Sequence, residues 1–213
     1  MTTIVGRNVK VQVALTFSAA ANPTGVSQAN PAVATLAAHG RQVGDVGFWS
    51  VSAGMTELDQ QAVVVTAAPS GTFDMAGLDS TGYSTYTAGS ITFAATWGTV
   101  SEAAGYTVGG GAANQLDDTR LMDVKTRNVA GMLPSQDLSI DVKQQEINGA
   151  AMSFIESAAK NGTPVLIKIT RGNQVLRVAY GVPSIPGESA AAGALATGQF
   201  NIVCPAWVLK PNA

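Results

Sequence analysis

Apolar and polar positions alternate at the start of the chain, with Val9, Val11, Val13 and Leu15 set against Lys10, Gln12, Ala14 and Thr16. That period of two predicts a long strand with one buried face. The alternation stops at Ser18. Residues 18–31 are rich in Ala, Asn, Pro, Gly and Ser, and Pro23 and Pro31 lack the N–H that a central ladder needs, so a connecting loop is expected. Between Thr35 and Ser90 short apolar runs (DVGFWSV, AVVVTAA, GTFDMAG) are cut by Gly44, Gly54, Gly71, Gly77, Gly82 and Gly89. This is the pattern of a small all-β module. Strand-like alternation returns over Ile91–Val100, which predicts that the module is spliced into a hairpin whose arms are Val9–Phe17 and Ile91–Val100. Residues 101–113 are Gly-rich, with Gly109, Gly110 and Gly111 in a row. No helix-opening GK[ST] follows to make a phosphate cradle, and a mobile loop is expected.

The stretch from Asn114 to Gly162 is the most varied in the chain. Leu116–Pro134 has no clean period and holds Asp117, Asp118, Arg120, Asp123, Lys125 and Arg127. A charged loop of that length inside a compact domain is commonly functional or disordered. Asp137–Lys143 then alternates strictly, with Leu138, Ile140 and Val142 on one side. Asn148 is placed to cap a helix and Ile147 to staple it, and Ala151, Phe154, Ile155 and Ala158 follow at helical spacing. Glu156 and Lys160 stand four apart on the far side, and Asn161-Gly162 supplies the stop. VLIKIT and QVLRVAYG read as a hairpin across Arg171-Gly172-Asn173. Pro183–Gly187 breaks the run, and Gly198–Leu209 is expected as a last strand.

Composition changes the picture in one respect. Charged residues make up only 12% of the 213 residues, about half the usual share. A surface so poor in charge suits cover by neighbouring molecules better than water. The net charge of −2 comes with Lys and Arg scattered singly, so tight nucleic-acid binding is not expected. The opening MTTIVGRNVKVQVALTFSAA carries neither a secretory signal nor a membrane span, so the expectation is a protein made in a cytoplasm, with no membrane partner. Cys204 is the one cysteine, embedded in FNIVCPAWVL, where a buried inert thiol is expected.

No catalytic, cofactor or metal site emerges, and the chain reads as no enzyme. His39 is the one histidine and has no Cys or acidic partner at ligand spacing, which favours a structural turn or surface role. Asp117, Asp118 and Asp123 lack the calcium-loop pattern, and Arg120, Lys125 and Arg127 are interleaved with them. Salt bridges across a subunit boundary and a solvated loop both fit those mixed signs. Asp141 and Glu146 are near in sequence, but paired-carboxylate catalysis also requires a cleft. Trp49, Trp97 and Trp207 are expected as core or interface anchors, with core the prior. Lys168 and Arg177 stand opposite apolar partners, where they line a channel or face water.

Two resemblances rest on these residues. The run His39-Gly40, Gly44-Asp45, Gly54-Met55-x-Glu57-Leu58, Thr72-Phe73 and Asp79-Ser80-Thr81-Gly82-Tyr83 is similar to a small β module inserted in tailed-phage structural proteins. It is called FCCH-like after a domain of ubiquitin-activating enzymes. The resemblance implies a shared small β fold and carries no ubiquitin chemistry.

The opening MTTIVGRNVKVQV, the run LDDTRLMDVKTRNVAGMLPSQDLSIDVK and the strand, helix and hairpin order resemble the major tail tube proteins of lambda-like siphophages, whose tails are long and non-contractile. The resemblance implies a mainly β fold: a sandwich or barrel-like tube domain over 1–20 and 91–213 with one flanking helix, and an inserted FCCH-like module over 21–90. It further implies a virion protein forming hexameric rings that stack into a tube, with tape measure and terminator proteins as partners and DNA passing through the lumen without tight binding. Carried over, it places Leu116–Pro134 and Thr2–Arg7 at the joints between copies, with Asp117, Asp118, Arg120, Asp123, Lys125 and Arg127 as candidate contacts, and the helix outside the tube. The alternative expectation is a decorating module that contacts the host surface through the insert.

Overall fold

In the computed structural model the opening alternation becomes β1 (Val9–Phe17), with Val11 and Val13 buried. Residues 9–101, 103–110, 114–120, 122, 124–131, 135–143, 149–192 and 195–211 are described. The alternation does not run to the end of β1. Its pairing shifts between Ala14 and Phe17, and Phe17, in phase with Val11 and Val13, packs beside Ala14 in a different core, as a bulge that reverses the side-chain phase would have it.

The chain continues through β2 (Gly25–Val26), β3 (Ala32–Thr35), β4 (Val46–Ala53), β5 (Ala62–Ala67), β6 (Thr72–Met75) and β7 (Ala88–Val100). Then come β8 (Ala103–Val108), β9 (Gln115–Asp117), β10 (Asn128–Ala130), β11 (Gln136–Lys143) and the helix α1 (Ala150–Asn161). Last are β12 (Val165–Arg171), β13 (Gln174–Pro183), β14 (Gly187–Ser189) and β15 (Thr197–Cys204). The fold is mainly β with one α-helix among the described residues. Thirteen strands form a curled antiparallel sheet in the order β2-β3-β6-β5-β4-β7-β1-β12-β13-β15-β11-β8, with β14 on β15. β7 joins its two halves. The first half of β7 pairs with β4, from Ala88 opposite Ala53 to Phe93 opposite Gly47. Its second half pairs with β1, from Ala94 opposite Phe17 to Val100 opposite Val11.

Three apolar cores hold the sheet. One lies under α1 and is built from Val13, Ile140, Ile155, Ile167 and Phe200 among others. A second fills the segment between β1 and β7, around Trp49, Leu58, Phe73, Met75 and Phe93. The third joins the two, with Ala14, Leu166 and Val178 of β1, β12 and β13 packed against Val64 of β5 and Leu209. There Phe48 stacks on Tyr180, rings 4.0 Å apart and 9° from parallel.

Residues of the module's signature do structural work. Met55, Leu58 and Phe73 are fully buried, and the Ser80 hydroxyl, also buried, donates within reach of the Ser27 and Ala29 carbonyls and accepts from the Ala29 N–H at 3.1 Å. Glu57 accepts from the Ser84 N–H and hydroxyl at 3.0 and 2.9 Å. Gly54 has φ +85°, and a Cβ there would stand 2.3 Å from the Thr85 carbonyl oxygen, so no side chain fits.

The helix lays Ala151, Met152, Ile155 and Ala158 on the first core, and Glu156 and Lys160 pair at 2.7 Å on its outer side. Gly162 ends it in the left-handed region, its N–H turned back toward the Ala158 and Ala159 carbonyls. Gly149 occupies the N-cap without a side-chain bond; Asn148 and Ile147 lie outside the described residues. The β12–β13 hairpin closes with Arg171 opposite Gln174.

Three expectations need correction. The Gly-rich stretch after Val100 is not simply a loop: Ala103–Val108 is strand β8, paired with β11 from Val108 opposite Leu138 to Ala103 opposite Val142. Tertiary pairing and burial of Tyr106 and Val108 against the first core override the weak strand propensity of Ala and Gly. The last strand ends at Cys204, before Pro205, and Leu209 returns only as an isolated bridge to Val178. Within residues 18–31, Ala21 bridges Ile91 and Gly25–Val26 pairs with β3.

Candidate assembly interface

The charged stretch is a small ribbon rather than a loop. β9 and β10 pair as a separate two-stranded sheet, with Asp117 opposite Asn128, Leu116 opposite Val129 and Gln115 opposite Ala130. Its local chemistry explains why the chain turns there. The Asp117 carboxylate accepts from the Thr119 N–H at 2.8 Å and from the Thr119 hydroxyl, an Asx-type turn. Those two bonds hold the Asp117 carboxyl below the usual aspartate range. The Thr119 oxygen accepts from the Arg127 N–H at 3.0 Å, and the Asp118 N–H donates to the Arg127 carbonyl at 2.8 Å. Asn128 donates its side-chain N–H to the Gln115 side-chain oxygen at 2.9 Å.

Asp117, Asp118 and Arg127 are thus brought together at the base of the turn. Arg120 and Lys125 lie within it, and Asp123 is outside the described residues. Every described residue from Asn114 to Ala130 is exposed.

The apolar side chains of this ribbon are what a reading of charges misses. Met122 is 92% and Val124 99% exposed, and Leu116 and Val129 are exposed as well. A two-stranded ribbon is marginal in water by itself, and four large apolar side chains on it gain nothing from solvent.

A second group of exposed apolar residues lies on the main sheet. Val182 of β13 pairs directly with Val203 of β15, and both are exposed. Ile185 follows just after β13, where the Ser184 N–H donates to the Asn201 carbonyl at 2.7 Å. Val203 was legible as an oddity: in FNIVC the buried phase belongs to Phe200, Ile202 and Cys204, leaving a valine at a solvent-phase position. Trp207 is half exposed, not the core anchor that is the first of its two expected roles, whereas Trp49 is fully buried with its indole N–H 3.2 Å from the Met75 sulfur.

No family model matches this chain, and no curated protein matches it.

Other candidate residues take structural positions. His39 sits 3.0 Å from the Pro69 carbonyl oxygen through Nε2 and accepts the Arg41 N–H at its Nδ1 at 2.9 Å, beside the Phe73 ring. Lys168 is half-buried with Nζ 3.9 Å over the Trp97 ring; burial pushes its amine down, partly opposed by the charge of Asp45. Arg177 donates to the Leu176 carbonyl at 2.9 Å. Cys204 is buried, and burial, with the Asp137 charge adding, pushes its thiol up to about 12. Among the described residues no three His, Cys, Asp or Glu are grouped as a metal site would need, and no helix is long and apolar enough to cross a membrane.

Proposed function

We propose that the chain is a structural virion protein whose copies close into rings, hexameric by resemblance, that stack into a phage tail tube through which DNA passes. The observation that carries this reading is the β9–β10 ribbon, exposed along its whole described length and bearing Leu116, Met122, Val124 and Val129. An element whose described apolar side chains are all exposed on its own subunit is stabilised by burying them on another. The low charge of the chain and its resemblance to tail tube proteins support the same reading. Partners would be further copies of itself and the tape measure and terminator proteins that bound such a tube. DNA transit is compatible with few positive charges, since each neutralised phosphate would add affinity and slow passage.

The test is the assembly state of the purified protein, by negative-stain microscopy and sedimentation, alone and with a tail-initiating complex. Rings or tubes support the proposal. A strictly monomeric protein at high concentration under both conditions refutes it.

A further inference from the structure

The large exposed apolar side chains of the described residues fall almost entirely into two groups. Leu116, Met122, Val124 and Val129 are on the ribbon; Val182, Ile185, Leu195, Val203 and Trp207 are on or beside β13 and β15; only Val43 belongs to neither. The two groups also differ in charge. The described ribbon carries Arg120, Lys125 and Arg127 against Asp117 and Asp118, with Asp118 directly across the turn from Arg127. On the sheet Asp137 of β11 is directly opposite Val203, and Asp141 is opposite Gln199 further along the same exposed face, with Lys143 at its far end. Gln199 donates its side-chain N–H to Asp141 at 3.1 Å, and the two line, with Lys143 and Glu188, a broad concavity of about 790 Å³.

We infer that the exposed face of β11, β13 and β15, centred on Val182, Val203 and Ile185, is the surface on which a second copy of this chain seats its β9–β10 ribbon. The inference rests on the assembly reading above and adds the acceptor to it. Apolar side chains meet apolar side chains, and Lys125 and Arg127 approach Asp137, the carboxylate opposite Val203, which orients the docking. Donor and acceptor are different surfaces. When each copy gives its ribbon to a different neighbour, the contact is head-to-tail and repeats into a closed ring or an open stack; two copies exchanging ribbons would instead close as a pair.

Cysteine pairs test this on the full chain. Cys204 is buried, so Val124→Cys and Ile185→Cys, both at exposed positions, supply the reactive thiols. The two variants are mixed under assembly conditions and treated with a short bismaleimide. The expected result is a covalent dimer in the mixture, at least fivefold more abundant than with either variant alone or with Val124→Cys mixed with Val43→Cys. A charge exchange gives a second readout: Arg127→Glu and Asp137→Lys each weaken assembly, and combining them in one chain restores it.

Rings visible in the microscope without the mixed dimer and without charge rescue overturn the acceptor assignment and leave the assembly reading standing. Dimers from Val124→Cys alone, as abundant as in the mixture, overturn it in favour of ribbon-to-ribbon contact. Absence of both assembly and cross-link removes both readings together.

Discussion

Replacing Val124 with Asp separates an assembly element from a piece of the subunit's own fold. The Val124 side chain is 99% exposed, so the folded monomer loses no packing. Such surface changes usually alter stability by no more than about 0.5 kcal/mol. Burying a valine in a contact between copies is worth about 1.5–3 kcal/mol. At about 1.4 kcal/mol per factor of ten, the variant should bind its neighbour roughly ten- to a hundredfold more weakly. An unpaired carboxylate in the same contact adds to the loss. Because every contact in a ring repeats the defect, assembly should collapse over a narrow concentration range. Sedimentation velocity across a dilution series reads the association, and thermal melting by circular dichroism reads the fold. Normal assembly of the variant would refute the reasoning. So would a marked fall in melting temperature, since it would mean that the ribbon packs on its own subunit.

Three other perturbations address the fold and its chemistry. Leu166→Ala empties a fully buried position in the core that joins the two halves of the sheet and should cost about 2–5 kcal/mol. Urea unfolding should shift as one transition, and separate transitions with only one displaced would contradict a shared core. The Cys204 thiol, pushed up to about 12, should resist a thiol-specific reagent at pH 8 until the chain is unfolded, and prompt labelling of the native protein would count against the burial. The Asp117 carboxyl is held below its usual range by Thr119, so its contribution to the turn is complete above the ordinary aspartate range and fades as pH falls through the lowered value. The Thr119 amide resonance should follow that titration, and a midpoint at or above the ordinary aspartate value would show the bonds are not made.

What the sequence discloses about this fold follows from how local each signal is. β11 is legible because Leu138, Ile140 and Val142 alternate with polar residues on a strand that has one wet face. α1 and the β12–β13 hairpin are legible for the same reason, each carrying its own period and stop. β8 is not, since Ala103, Ala104 and Gly105 have no strand preference of their own and become a strand only by pairing with β11. The reversal of phase at Phe17 depends on a bulge opposite β7, which residues 9–17 do not encode by themselves. In the candidate interface the charges stand out in the sequence and the apolar residues between them do not. Leu116, Met122, Val124 and Val129 follow no period, and it is the folded ribbon that shows them exposed. The acceptor face needs three strands far apart in the chain, and its one local trace is the valine at position 203.

The central claim is that this chain works as many copies rather than one, and negative-stain microscopy of the purified protein at high concentration tests it most directly. The account predicts rings or stacked tubes on the order of a hundred ångströms across, as about six domains of this size closing on themselves would give. Single particles of one subunit, unchanged by concentration or by a tail-initiating complex, would contradict it.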